Sequence, residues 1–211
     1  MEKDNRKIKQ IAYFGFADSP PEDPLYKEAF ECAKFLTSKG YIAIHGGGPG
    51  VMRAVSEGAK AADGISVGVT FYPKDITNFE GRDPDNPMDH EIITNNYLER
   101  TLKLIEYGDV YIIFKGGTGT VSEFGMAWGL AHLYFGYHKP LILYGSFWTE
   151  IMRSFVANMR IRAISLKVYK IVNSPQQALY AIDQFEDFLK KRDIVNKAEA
   201  PFQIWPPKKL N

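Results

Sequence analysis

The chain has 211 residues, 45% of them hydrophobic and 24% charged, with a formal net charge of +1. That is the makeup of a globular protein with one sizeable core, and its charge balance argues against nucleic-acid and membrane partners. A single cysteine, Cys32, excludes an intramolecular disulfide framework and a cysteine metal cluster.

The charged stretch Met1 to Lys7 reads as an N-terminal tail, and with no apolar run of transmembrane length the expected location is cytoplasmic. Ile8 to Phe16 is a first strand feeding the loop Gly15-Phe16-Ala17-Asp18-Ser19. Pro24 and Leu25 open a helix over 24–39, with Leu25, Ala29, Cys32, Ala33 and Leu36 on one face and Gly40 at its end, which makes Cys32 a buried, inert thiol. A short strand over 41–45 runs into Gly46-Gly47-Gly48-Pro49-Gly50, a helix over 51–62 and a third strand over 65–70. The segment 71–96 breaks this rhythm with Pro73, Gly81, Pro84 and Pro87 before a strand-like Glu91 to Thr94; a loop of that length predicts a rim or lid.

A helix over 95–107, with Tyr97, Leu98, Thr101, Leu102 and Ile105 inward, leads to the buried strand Val110 to Phe114. Beyond the glycine loop that follows come a helix over 120–136, a strand over 140–144, a helix over 147–159 and a strand over 168–172. The last helix, 175–191, starts with Ser174 as N-cap and Pro175 at its first position. Residues 196–211 read as a C-terminal tail, leaving 8–195 as one domain. Strands alternating with helices predict an α/β fold, a Rossmann-like doubly wound parallel sheet, with ligands at the carboxyl ends of the strands.

The chain is organised around Lys115-Gly116-Gly117-Thr118-Gly119-Thr120-Val121-Ser122-Glu123. A strand, a glycine turn and a helix start make an anion site, because the first helical N–H groups have no partner within the helix and glycine lets a ligand approach them. Thr118 or Thr120 can cap this helix and donate a hydroxyl to a phosphate, and Glu123 sits one turn further in. The alternative is a plain strand-to-helix turn with Glu123 as a capping-box acid. The loop after the first strand does not match a dinucleotide fingerprint, and neither glycine loop supplies the Gly-Lys-Ser/Thr of a Walker A motif, which argues against NAD, ATP and GTP. A single phosphate, as in a mononucleotide, fits better.

Gly46-Gly47-Gly48-Pro49-Gly50-Val51-Met52, Arg100 within Tyr97-Leu98-Glu99-Arg100-Thr101, and Lys115 to Glu123 together resemble the motifs of the LOG ("lonely guy") family over roughly residues 8–190. Members of that family were long mislabelled as lysine decarboxylases; no motif for a pyridoxal-phosphate lysine is present here. The resemblance implies a Rossmann-like homodimer that acts as a nucleoside 5′-monophosphate phosphoribohydrolase. Its substrate would be a cytokinin riboside monophosphate or an ordinary purine or pyrimidine monophosphate, and its products free base and ribose 5-phosphate. It also implies Arg100 and Glu123 as the catalytic pair, and Gly116, Gly117, Gly119 and Thr120 around the 5′-phosphate. Gly47 and Gly48 would border the ribose, and Ser19 would lie near the nucleotide.

The residue types suit that chemistry. Glu123 can stabilise an oxocarbenium-like sugar and orient or deprotonate the attacking water. Arg100 can fork onto the phosphate or hold Glu123 ionised and in position. No cofactor or metal is expected, since His45, His90, His132 and His138 lack ligand spacing; His45, beside a glycine loop, reads as a hydrogen-bonded structural histidine. Two positions depart from the family: Lys115 stands where a proline is usual, adding a cation near the phosphate site, and no second acid follows Glu123. A rival reading is a non-catalytic nucleotide- or molybdenum-cofactor-binding carrier on the same fold, which has no need of the Arg100 and Glu123 pair. Trp128, Leu130, Leu133, Tyr134 and Phe135 give helix 120–136 a surplus of apolar surface, consistent with a homodimer or higher homo-oligomer.

Overall fold

Runs of β-branched and aromatic residues can be continuously apolar only if the strand they form is covered on both faces, and that condition sets the architecture here. In the computed structural model, which describes residues 6–73 and 81–196, these runs are the strands β1 (Gln10–Phe14), β2 (Ile42–His45), β3 (Ser66–Phe71), β4 (His90–Thr94), β5 (Val110–Ile113), β6 (Leu141–Tyr144) and β7 (Tyr169–Val172). They pair in parallel in the order β4-β3-β2-β1-β5-β6-β7. The helices are α1 (Pro24–Thr37), α2 (Val51–Lys60), α3 (Tyr97–Tyr107), α4 (Thr118–Leu133), α5 (Phe147–Asn158) and α6 (Pro175–Asn196).

Side chains alternate along each strand and so divide the core in two. Ile11, Tyr13, Val110, Ile112 and Phe114 pack under α1, α2 and α6, whereas Ala12, Phe14, Tyr111 and Ile113 pack under α3, α4 and α5. The chain winds from β1 outward to β4, returns through α3 to β5 beside β1, and then winds outward the other way. The expected doubly wound α/β sheet is therefore the fold, and its strand order reverses between β1 and β5. The loops leaving those two strands must diverge, which opens a crevice at their carboxyl ends.

Two expectations are corrected locally. In α3, Leu98 and Leu102 are 66% and 55% exposed, and the buried residues are Arg100, Thr101, Leu104 and Ile105. Two overlapping apolar stripes satisfy the same helical spacing, and packing at the switch point selects the one that carries Arg100. Second, α4 begins at Thr118 with Gly117 as N-cap and no capping side chain, so Thr118 and Thr120 lie inside its first turn. A 3₁₀ turn, Ala163–Leu166, also precedes β7. The cap at Ser174 is present, its Oγ accepting from the Gln177 N–H at 3.2 Å.

The expected tails fall largely outside the described residues, at 1–5 and 197–211, as does 74–80 of the expected rim. Arg6 is anchored, its guanidinium donating to the Lys39 and Gly40 carbonyls and standing 4.8 Å over the Tyr41 ring. Among the described residues no helix is long and apolar enough to cross a membrane.

Candidate active site

The two glycine loops do different work. After β2 the chain turns through Gly46 to Gly50, and several amides of this loop are taken up inside the protein. The Gly47 N–H donates to His45 Nδ1 at 3.0 Å, the Gly48 N–H to Met52 Sδ at 3.4 Å, and the Val51 N–H to the Phe16 carbonyl at 2.9 Å. Because Nδ1 accepts, the His45 proton resides on Nε2, 2.7 Å from Ser56 Oγ. Burial, reinforced by nearby Arg100, pushes His45 down to about 3. It is a neutral structural histidine, as its position beside the loop suggested. Gly50 takes a φ of +61°, and a Cβ there would collide with the Phe16 and Ala17 carbonyls, so only glycine lets the β1 loop close over the start of α2.

The second loop is open. Residues 115–119 are exposed, and the first turn of α4, uncapped by any side chain, faces a cavity of about 490 Å³ at the switch point. Unpaired helical amides and the positive end of the helix dipole make this wall a natural seat for an anion. The Phe16 N–H donates to the Lys115 carbonyl at 3.1 Å, so the β1 loop is fastened to both glycine loops. The Lys115 ammonium stands 6.0 Å over the Phe147 ring, and Lys115 is not part of the cavity wall.

An ion pair lines the same cavity. Arg100, on the first turn of α3, and Glu123, on the second turn of α4, bring Nη1 and Oε1 to 3.6 Å, with only 5% and 7% of each residue exposed. The guanidinium is held from behind: Nε donates to the Val69 carbonyl at 3.0 Å, and Nη2 to the Gly46 carbonyl at 3.1 Å. A Cβ on Gly46 would collide with Nη2, so this glycine makes room for the arginine. Burial raises the Glu123 carboxyl to about 7 and outweighs the opposing pull of Arg100. A carboxyl that titrates near neutrality, held against a cavity, is suited to exchange protons with a bound molecule. Of the two roles open to Arg100, this geometry favours holding Glu123 over forking onto a phosphate.

Of the residues expected at the site, Arg100, Glu123, Gly117, Thr118, Gly119 and Thr120 line the cavity. Gly116, Gly47 and Gly48 are not part of the lining; a Cβ on Gly116 would collide with the Thr120 side chain, and one on Gly48 with Met52. Ser19 is buried outside the lining, and its Oγ has no hydrogen-bond partner. Cavity-wall residues to which the sequence assigned no role at the site include Phe16, Gly46, Met52, Gly81, Tyr97 and Ser122. Tyr97 was detectable, lying one helical turn before Arg100, and so was Met52, which closes the first glycine motif; Gly81 carries no such signal. Gly81 belongs to the segment expected as a rim, which the Asp83 N–H fastens to the Gly47 carbonyl at 3.0 Å and the Asn86 Nδ2 to the Gly48 carbonyl at 2.8 Å. Among the described residues no group of three or more His, Cys, Asp or Glu is arranged to hold a metal ion.

Fold and site together define a doubly wound α/β protein with an open helix N-terminus and a buried arginine–carboxylate pair in the switch-point cleft. Residues 8–172 match the model of the SLOG cluster4 family, and the chain belongs to that family. It is similar to the cytokinin riboside 5′-monophosphate phosphoribohydrolase of Mycobacterium tuberculosis, with 33% identity over 129 residues, 60% of this chain and 66% of that protein. The protein of the same name from Mycobacterium marinum is 30% identical over 60% of this chain and 65% of its own. The alignments thus span just under two thirds of these two relatives. Among solved structures, the molybdenum cofactor binding protein of Rippkaea orientalis superposes with a TM-score of 0.62 at 24% identity, over 85% of this chain and 98% of that one. That likeness is one of fold.

Proposed function

We propose that this protein hydrolyses the N-glycosidic bond of a nucleoside 5′-monophosphate to give free base and ribose 5-phosphate. The observation that carries the proposal is the buried Arg100–Glu123 pair, which lines the same cavity as the open start of α4. The family, and two relatives named as phosphoribohydrolases, support it. A 5′-phosphate seated on the amides of Gly117 to Thr120 directs the sugar towards the ion pair. Ionised Glu123 steadies the positive charge that grows on C1′ and takes a proton from the water that attacks there. The bond from C1′ to the base nitrogen breaks, its electron pair stays with the base, and the proton that Glu123 takes from the water balances the one that the base gains. Arg100, fixed by two carbonyls, keeps Glu123 aimed and partly ionised at neutral pH.

A carrier that only holds a phosphate-bearing pterin, the alternative that the R. orientalis neighbour brings to mind, gains nothing from burying a carboxylate in this way. The functional unit is a homodimer in this reading. Leu98 and Leu102 of α3 and Val121 and Leu133 of α4 are exposed, and Gly125 and Gly129 between them leave room for a close-packed second copy. A cytoplasmic setting, where nucleoside monophosphates are made, suits the reaction; a cytokinin riboside monophosphate is one substrate within the class. Incubation with AMP, GMP, CMP, UMP and isopentenyladenosine monophosphate, followed by chromatography, is expected to release free base from at least one, and not with Glu123→Gln. Tight nucleotide or pterin binding without release would overturn the hydrolase in favour of the carrier.

A further inference from the structure

The ion pair depends on how the first turn of α3 sits against the second turn of α4. The two helices lie on the same face of the sheet, one before β5 and one after it, and each brings one member of the ion pair. At 3.6 Å the pair is a loose contact, sensitive to any slip between the helices. A second side chain joins the two helices beside the ion pair. Tyr97, the first residue of α3 and one turn before Arg100, places its hydroxyl 3.0 Å from Ser122 Oγ, the neighbour of Glu123 on α4. Ser122 gives its own proton to the Gly119 carbonyl at 2.8 Å, so the Tyr97 hydroxyl is the donor in the first bond. The Tyr97 ring meets Phe71 edge-on at 6.3 Å and carries the Arg100 guanidinium 6.0 Å from its centroid. Both Tyr97 and Ser122 belong to the cavity wall.

We propose that Tyr97 is a positioning residue: through Ser122 it ties the first turn of α3 to α4 one residue before Glu123, and so holds Arg100 against Glu123. The catalytic consequence rests on the hydrolase reading; the tie itself does not. Tyr97→Phe keeps the ring, its contact with Phe71 and its place beneath Arg100, and removes the bridge to Ser122. In the tied state Arg100 of α3 is the charged group that acts on Glu123, while His45 of β2 is neutral throughout the neutral range. Loosening the tie weakens the pull of Arg100, so the Glu123 carboxyl titrates at higher pH.

The test is a carbon-13 NMR titration of the Glu123 carboxyl in the full chain, with kinetics on whichever nucleotide the wild type cleaves. Tyr97→Phe is expected to raise the Glu123 midpoint by about half a pH unit. It is expected to lower kcat about tenfold with little change in KM, because a misplaced pair slows the chemistry more than it weakens binding. Ser122→Ala should reproduce both effects, and the double variant should add nothing to either single one. A Tyr97→Phe protein with a lower melting temperature but an unmoved Glu123 titration would reduce Tyr97 to a structural residue and overturn the proposal. The NMR titration needs no substrate: if the wild type cleaves no nucleotide and the midpoint still moves, the tie stands and the hydrolase falls.

Discussion

Replacing Glu123 by Gln measures what the site costs the fold. The wild-type carboxyl rises from 4.5 to about 7 on folding because burial outweighs the attraction of Arg100. At about 1.4 kcal/mol per pH unit, the ionised side chain then destabilises the native state by about 3 kcal/mol. Between these two pH values the folded chain holds a proton that the unfolded chain has released. The contribution of this group to stability is therefore complete below pH 4.5 and is lost as the pH rises to about 7. Glutamine has the shape of the protonated acid and cannot ionise. The variant should match the wild type near pH 4.5 and exceed it by about 3 kcal/mol at pH 8, with a melting temperature higher by roughly 6 to 12 °C. Urea denaturation and calorimetry of both proteins at pH 4.5, 6 and 8 read this directly, alongside the expected loss of turnover. A variant less stable than the wild type at pH 8 would refute the reasoning, since the attraction of Arg100 would then outweigh burial.

Arg100→Ala should lose most turnover and about 2–4 kcal/mol of stability at pH 8, because it strips Glu123 of its counter-charge and leaves the Gly46 and Val69 carbonyls without this donor; a fully active variant would make Arg100 a bystander. His45 titrates near 6.5 in the unfolded chain and near 3 in the fold, so its contribution is present above pH 6.5 and lost as the pH falls towards 3. His45→Asn, which keeps an acceptor for the Gly47 N–H, should flatten that acid limb in urea midpoints measured against pH; an unchanged slope would mean that His45 charges in the fold. Leu102→Glu, on the exposed face of α3, should convert the proposed dimer to a monomer in sedimentation, and a monomeric wild type would refute that face.

The order of strands and helices, the Rossmann-like class and the two glycine loops are legible in the chain because each rests on local rules: buried strands are continuously apolar, glycine marks close approach, and Ser174-Pro175 marks a helix start. The motif resemblance further selects Arg100 and Glu123, 23 positions apart (123 − 100), as partners. Spacing along the chain does not decide which stripe of a helix turns inward, and α3 demonstrates it: Leu98 and Leu102 satisfy the period as well as Arg100 and Leu104 do, yet only the latter meet the sheet. Nor does it distinguish an open loop from a closed one. The amides after β2 are taken by His45, Met52 and Phe16, while the start of α4 has no capping side chain, because the strand order reverses between β1 and β5 and the crevice opens there. The raised Glu123 carboxyl and the Tyr97–Ser122 bridge belong to that same level. Both depend on how much water and which neighbours surround a group, and those are fixed only when segments remote in sequence pack together.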